Sequence, residues 1–292
     1  MKKLLFFVVA LIFLFNAKSQ TKDTTYWKFG GLMNISYSQT YLKYWSAGGN
    51  NSQVFNGISN FFANYNKNNT SWKNTLDLGY GIQKVMGLPF RKIDDKIDFS
   101  SKFGYRTIDK FYISALVNFK TQFDNGFNYL KNGDSTLTSK FMAPGYLTYS
   151  VGMDYVPSED FSVYASFLTG KTTFVLYDSL SKVGAFGVDT GKNVRYELGA
   201  SIKIEFRKKI TNDFTLMTKT VLFSNYLKNP QNIDVDFTLL GNYKLWKYLS
   251  LTFQLQTIYD DDILVLVDEN TGRMGKRLQI KQMFGLGLAY TF

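Results

Sequence analysis

From about residue 28 to the last residue, 292, large apolar side chains recur at every second position, and the residues between them are small, polar or charged. In Trp72–Gln83 one face carries Trp72, Asn74, Leu76, Leu78, Tyr80 and Ile82, and the other Lys73, Thr75, Asp77, Gly79, Gly81 and Gln83. In Arg195–Arg207 the split is Tyr196, Leu198, Ala200, Ile202, Ile204 and Phe206 against Arg195, Glu197, Gly199, Ser201, Lys203, Glu205 and Arg207. A period of two means extended strands with chemically distinct faces. Twelve such segments are predicted, near 28–39, 53–66, 72–84, 96–106, 111–124, 145–155, 161–171, 194–208, 214–226, 233–245, 249–259 and 277–292. Many are two to three times the length of a common soluble-protein strand, about 5 or 6 residues, and long enough to cross a bilayer at a tilt, which takes about 9 to 11.

The links between segments alternate in length. Short ones such as "TIDK" and "VPSED" follow even-numbered strands. Longer ones follow odd-numbered strands, among them "TYLKYWSAGGNNS", "VMGLPFRKIDD" and "TTFVLYDSLSKVGAFGVDTGKN". Short turns at one end and long loops at the other, on an even number of strands, describe an all-β, single antiparallel up-and-down transmembrane barrel of about 12 strands, with extracellular loops, periplasmic turns and both termini periplasmic. A soluble sandwich is the alternative, but its solvent face should carry charge, and the apolar faces assigned here carry none. A Lys or Arg at the bilayer midplane would cost about 2 to 4 kcal/mol. The closing segment puts Phe284, Leu286, Leu288, Tyr290 and Phe292 on the outward face. Its last strand must pair with the first to leave no edge. Leu286, Leu288, Tyr290 and the terminal Phe292 resemble the C-terminal signal read by the outer-membrane assembly machinery.

The other end explains how such a chain would reach that membrane. Lys2 and Lys3 precede an apolar run from Leu4 to Phe15 and a small-x-small site at Ala17-Lys18-Ser19. The run is too short for a membrane helix, which needs about 20 residues, and reads as a signal peptide over 1–19, leaving 20–292 as one outer-membrane barrel domain. The formal charge of +11 falls to +8 without Lys2, Lys3 and Lys18. Export argues against a nucleic-acid partner; lipid and lipopolysaccharide headgroups and anionic solutes suit the charge.

The chain has no cysteine and no histidine. Disulfides, thiol nucleophiles, histidine-ligated metals and Ser-His-Asp chemistry therefore have no residues to work with. No enzymatic activity, cofactor or metal is expected. Asp260–Asp262 lacks the alternating order of a calcium loop and is expected to be a solvated loop base, followed by a hairpin through "ILVLV" that turns at "DENTGR".

The most distinctive loop is "YWSAGGNNS", Tyr44 to Ser52. Its glycines suit a tight turn, Asn51 and Ser52 can satisfy freed backbone groups, and Trp45 suits a headgroup level. Trp45, Gly48, Gly49, Asn51 and Ser52 resemble the W-[SA]-x-G-G-x-N-S signature of a family of outer-membrane β-barrels of unknown function, best known from Bacteroidota-type bacteria. The family often has Asn before the tryptophan, where this chain has Tyr44. The resemblance implies fold and location and carries no activity.

Alternation aims Lys102, Arg106, Arg195, Glu197, Lys203, Glu205 and Arg207 into the lumen, with Lys120, Lys219, Asp98, Asp124, Asp154 and Asp236 among others. Two functions fit. One is a narrow passive channel for small solutes, with a preference for anions set by a basic wall. The other is a non-conducting interaction, structural or assembly-accessory barrel, in which lumen charges pair with each other and the long loops bind a surface or outer-membrane protein.

Overall fold

The computed structural model describes residues 26–44, 46, 50–129, 134–268 and 273–292. The signal segment 1–19, Trp45, Gly48, Gly49 and most of the "DENTGR" turn lie outside these residues. The strands are β1 (Trp27–Thr40), β2 (Ser52–Lys67), β3 (Thr70–Val85), β4 (Phe90–Ile108), β5 (Phe111–Thr121), β6 (Gly126–Tyr129), β7 (Ser135–Ser139), β8 (Gly145–Ser158), β9 (Phe161–Phe174), β10 (Val194–Lys209), β11 (Phe214–Asn225), β12 (Ile233–Lys244), β13 (Leu249–Tyr259), β14 (Val265–Asp268), β15 (Arg273–Gly275) and β16 (Gln279–Thr291). Twelve of them form one closed antiparallel barrel in the order β1-β16-β13-β12-β11-β10-β9-β8-β5-β4-β3-β2. All twelve predicted segments are barrel strands. β6–β7 and β14–β15 are separate hairpins within two of the long loops, the second being the one expected after Asp262.

Closure uses the last residue. Thr291 pairs with Leu32 and Leu288 with Ile35, and the backbones of Phe292 and Gly31 exchange hydrogen bonds of 3.1 and 3.2 Å. The Phe292 ring stacks near Tyr290 and packs toward Phe61. Aromatic contacts continue along the short-turn end, through Trp27 with Tyr65 and Trp72, Phe111 with Tyr155, and Phe214 with Tyr243. Amphipathic rings collected at one level suit a membrane–water boundary.

Strand pairing extends into links that read as loops. The turn between β2 and β3 is only Asn68-Asn69, with Asn68 at φ +52°. A short polar side chain adopts that left-handed conformation at low cost. On the opposite end, β4 begins at Phe90, so the predicted long link at 85–95 shrinks to residues 86–89. Its polar run Lys92-Ile93-Asp94-Asp95 is strand: Asp94 lies opposite Gly81, Lys92 opposite Ile82, and Ile93 bulges between them.

Burial is inverted relative to a soluble protein. Phe284, Leu288, Tyr196 and Phe167 are largely exposed on the outer wall, while Asp98, Lys102, Asp154, Glu197 and Lys203 are buried in the bore. The one cluster of fully buried apolar side chains among the described residues is outside the barrel wall. Ala143, Val175, Leu180 and Val188, with Tyr177, Ala185 and Phe186, bring the loop after β9 onto the loop before β8. The former loop contains a single helical turn, α1 (Asp178–Ser181), and a 3-10 turn at Ala185–Gly187.

Candidate functional site

The bore is built from inward positions of the twelve barrel strands. Charge fills it because a side chain there faces neither lipid nor apolar core, and an isolated charge would be costly to bury unless paired. The pairs reach across the opening. Lys219 on β11 donates to Asp98 on β4 at 2.9 Å, and Lys120 on β5 to Asp236 on β12 at 2.6 Å. Lys281 on β16 reaches Asp94 on β4 at 2.7 Å. Arg207 on β10 donates at 2.8 Å to the amide oxygen of Asn60 on β2, a strand six places away in a ring of twelve and so diametrically opposite. Lys102 meets Asp154 at 2.7 Å, with both side chains almost wholly buried. Lys203 meets Glu205 at 2.9 Å and donates to the Ser100 hydroxyl at 3.2 Å.

Six of the seven predicted lumen charges therefore line the bore, spread from Arg195 and Glu197 under the loops to Arg207 toward the turns, with Lys102, Lys203 and Glu205 in a belt between them. Arg106 does not join them. It lies beside the turns, where its guanidinium donates to the Asn68 carbonyl at 3.2 Å and the Asn69 side chain at 3.1 Å. Asp124 is also displaced from the bore. β5 ends at Thr121, and beyond it, at the loop-side rim, Asp124 accepts from the hydroxyl of Tyr80, whose register partner is Asp95.

Strict alternation also hides a central residue. Counting from Phe161, Val163 and Ala165 on the outer wall assigns Lys171 to lipid, so the charge-free outward faces read from the sequence have an exception at this residue. β9 instead carries a bulge: Ser201 pairs with Ser166 and Gly199 with Thr169, so two residues oppose one. Phe167 and Leu168 both lie exposed on the outer wall. The Ser166 hydroxyl stabilises the distortion by accepting from the Leu168 N–H at 3.1 Å and donating to the Val151 carbonyl at 2.7 Å. Across the bulge stands Gly152, where any Cβ would collide with the Ala165 carbonyl. The extra residue turns Lys171 into the bore, against Asp234 at 2.9 Å, Asp260 at 3.4 Å and Glu197 at 3.7 Å.

Asp260–Asp262 is not a free solvated run. Each aspartate meets a cation: Asp260 meets Lys171, Asp261 meets Lys276 at 2.6 Å, and Asp262 meets Lys228 at 3.0 Å and also Arg195. Arg195 bonds Glu197 at 2.5 Å and donates to the Gly187 carbonyl at 3.2 Å. It thus ties the loop after β9 to the loop after β13. Gly187 has φ +74° and no room for a side chain beside Arg195 and Asp262, so the latch requires glycine there. Burial would raise the Asp262 carboxyl, but its bonds with Lys228 and Arg195 outweigh that and hold it below the usual range. Asp261 is held low chiefly by its hydrogen bond from Lys276.

In the loop before β2, the Asn51 side chain accepts from the Leu42 N–H at 2.6 Å and its carbonyl accepts from the Met86 N–H at 2.8 Å. Ser52 opens β2 opposite Thr40.

Two cavities flank the belt. One of about 440 Å³ lies under the loops, bounded above by Phe186 and Pro144 and below by lysines. The other, about 140 Å³, lies toward the turns, lined by Asn60, Asp77, Asp94, Glu205 and Arg207. Lys96 and Lys219 line both.

A family described as "Protein of unknown function (DUF3078)" matches residues 37–127, from the end of β1 to β6, including the loop Trp45–Ser52. No curated protein matches. Among solved structures, the chain is similar to an outer-membrane channel from Pseudomonas putida F1, with 10% identity, 95% of this chain and 99% of that one covered, and a TM-score of 0.39. It is similar to the NanC porin at 10% identity over 89% and 98% of the chains, TM-score 0.38. The translocator domain of the autotransporter NalP from Neisseria meningitidis gives 10% identity over 97% and 94%, TM-score 0.36. At these scores the similarities assign neither lineage nor activity.

Proposed function

We propose that this protein is an exported outer-membrane barrel that acts as a narrow passive channel for small solutes, with its termini and short turns in the periplasm. Its wall would contact outer-membrane lipid and lipopolysaccharide, and the assembly machinery would read Leu286, Leu288, Tyr290 and Phe292. The observation that carries the channel reading is the cavity of about 440 Å³ inside the bore, lined by charged groups and by apolar side chains below folded loops. A barrel built only as a scaffold has no need of a chamber of that size. The cross-bore pairs set the expected scale: conductance far below that of an open porin, since side chains from opposite walls touch.

Those same contacts favour the second reading, a non-conducting barrel that binds a surface or outer-membrane protein through its loops. Planar-bilayer recording of the refolded protein separates the two, with a heat-modifiable gel shift establishing the fold. Small discrete steps, whose reversal potential in a salt gradient shifts toward cations in Lys120→Gln, support the channel. Silence from folded protein removes it. Loss of partner recovery on deleting residues 176–192 then supports the interaction role.

A further inference from the structure

The belt has two chemically different sides. Of the carboxylates that line the larger cavity, Asp234 and Asp260 are held by Lys171, Asp236 by Lys120, and Asp95 by Lys92. Lys96, Lys203, Lys219 and Lys281 line the same cavity, but their partners Asp77, Asp98, Glu205 and Asp94 do not. Asp77, Glu205 and Asp94 instead line the smaller cavity toward the turns. The larger cavity therefore has an ammonium floor and an excess of cations, six lysines against four aspartates, whereas the smaller one is balanced, with Asp77, Asp94 and Glu205 beside Lys96, Arg207 and Lys219. Above that floor the walls are apolar: Leu116, Val221, Phe223 and Ile258 line them, and Phe186 hangs from the roof. Gly184, Phe186 and Gly187 all have positive φ, which bends the loop sharply where the ring enters.

We infer that this cavity is a binding site for a small amphiphilic anion, seated with its carboxylate on the Lys96, Lys203, Lys219 and Lys281 floor and its apolar body between Val221, Phe223 and Phe186. The inference rests on the channel reading in so far as the ligand is the solute admitted, and it names that solute's class. An anion gains from the converged ammonium groups in a low-dielectric bore, where charge interactions are stronger than in water. The apolar wall contributes through burial of the ligand body. A cavity of about 150 Å³ holds benzene, so this one has room for about 15 non-hydrogen atoms.

The test is calorimetric titration of the refolded full barrel, held in amphipol, with 4-phenylbutyrate, 4-phenylbutanol and 4-phenylbutylamine. One saturable site for the carboxylate, with the alcohol and the amine at least tenfold weaker, is expected. Lys203→Gln should weaken the carboxylate about tenfold and leave the alcohol unchanged. It leaves Glu205 a second cation, Lys102 at 3.9 Å, which it shares with Asp154. Val221→Trp, which fills the chamber while keeping every charged residue, should abolish binding of all three. Equal affinity for the three probes, no binding by protein that shows the heat-modifiable shift, or indifference to both substitutions overturns the inference. Conductance is recorded on the same samples. Binding without conductance retains the ligand site and removes the channel; conductance without binding does the reverse.

Discussion

The outer wall and the bore are made by the same strands, one residue out of phase, and are stabilised in opposite ways. On the wall, apolar side chains gain from lipid, each contributes through its own contact area, and a neighbour's identity matters little. In the bore, a lysine is tolerable only because a particular carboxylate stands opposite, often on a strand remote in sequence. Substitution at a wall position should therefore act locally, whereas substitution in the bore should depend on what is left behind.

Removing one half of the most buried pair tests that most severely. Lys102→Met leaves Asp154 without its counter-ion, and about 3 to 5 kcal/mol of stability should be lost. Lys102→Met with Asp154→Leu should recover most of it. Urea unfolding in lipid vesicles, followed by tryptophan fluorescence, reads both; a double variant as weak as the single one would break the contrast.

The wall is tested by the converse change. Leu286→Arg places a charge near the middle of β16 on the lipid face and should cost about 2 to 4 kcal/mol. No second substitution within the bore should rescue it.

The roof offers a smaller, pH-dependent test. Asp262 is held below the usual carboxylate range by Lys228 and Arg195. A lowered folded-state pKa contributes stability that is present above the ordinary carboxylate value and lost as pH falls through the lowered one. Loop 175–193 should stay protected from hydrogen exchange at pH 5 and loosen in acid below about pH 4. Asp262→Asn should loosen it at all pH values, by about 1.5 to 3 kcal/mol for the charged hydrogen bonds lost. Exchange that does not change across that range would detach the latch from the roof.

The smallest effect is expected at Lys28 and Glu159, which pair at 3.4 Å with both side chains well exposed at the short-turn end. Lys28→Ala should change stability by less than about 0.5 kcal/mol. A larger change would mean that pairing at the rim follows the rules of the bore.

The strands were legible in the sequence because a two-sided environment writes a period of two, and a phase error would turn each apolar face into the bore. What alternation does not encode is where the phase changes or where pairing stops. Lys171 was hidden by one extra residue at Phe167–Leu168, Asp124 by a strand that ends three residues earlier, and the start of β4 by charges that resemble a loop. Which lysine meets which carboxylate depends on how strands are ordered around the ring, so Arg207 and Asn60 give no local sign of their contact. The roof was illegible for another reason: Ala143, Val175, Leu180 and Val188 form a cluster without a repeating period.

The bulge in β9 has a consequence for how this protein can vary. Within most of these strands, the permitted alphabet at a site follows from odd or even position alone. At Ser166–Leu168 the parity resets, so a deletion of one residue there would act as a frameshift of chemistry, sending Lys171 to lipid and its outward neighbours inward while leaving every amino acid unchanged. Relatives that retain a cation at this place should retain the extra residue, the serine that braces it and the glycine across from it as one heritable unit.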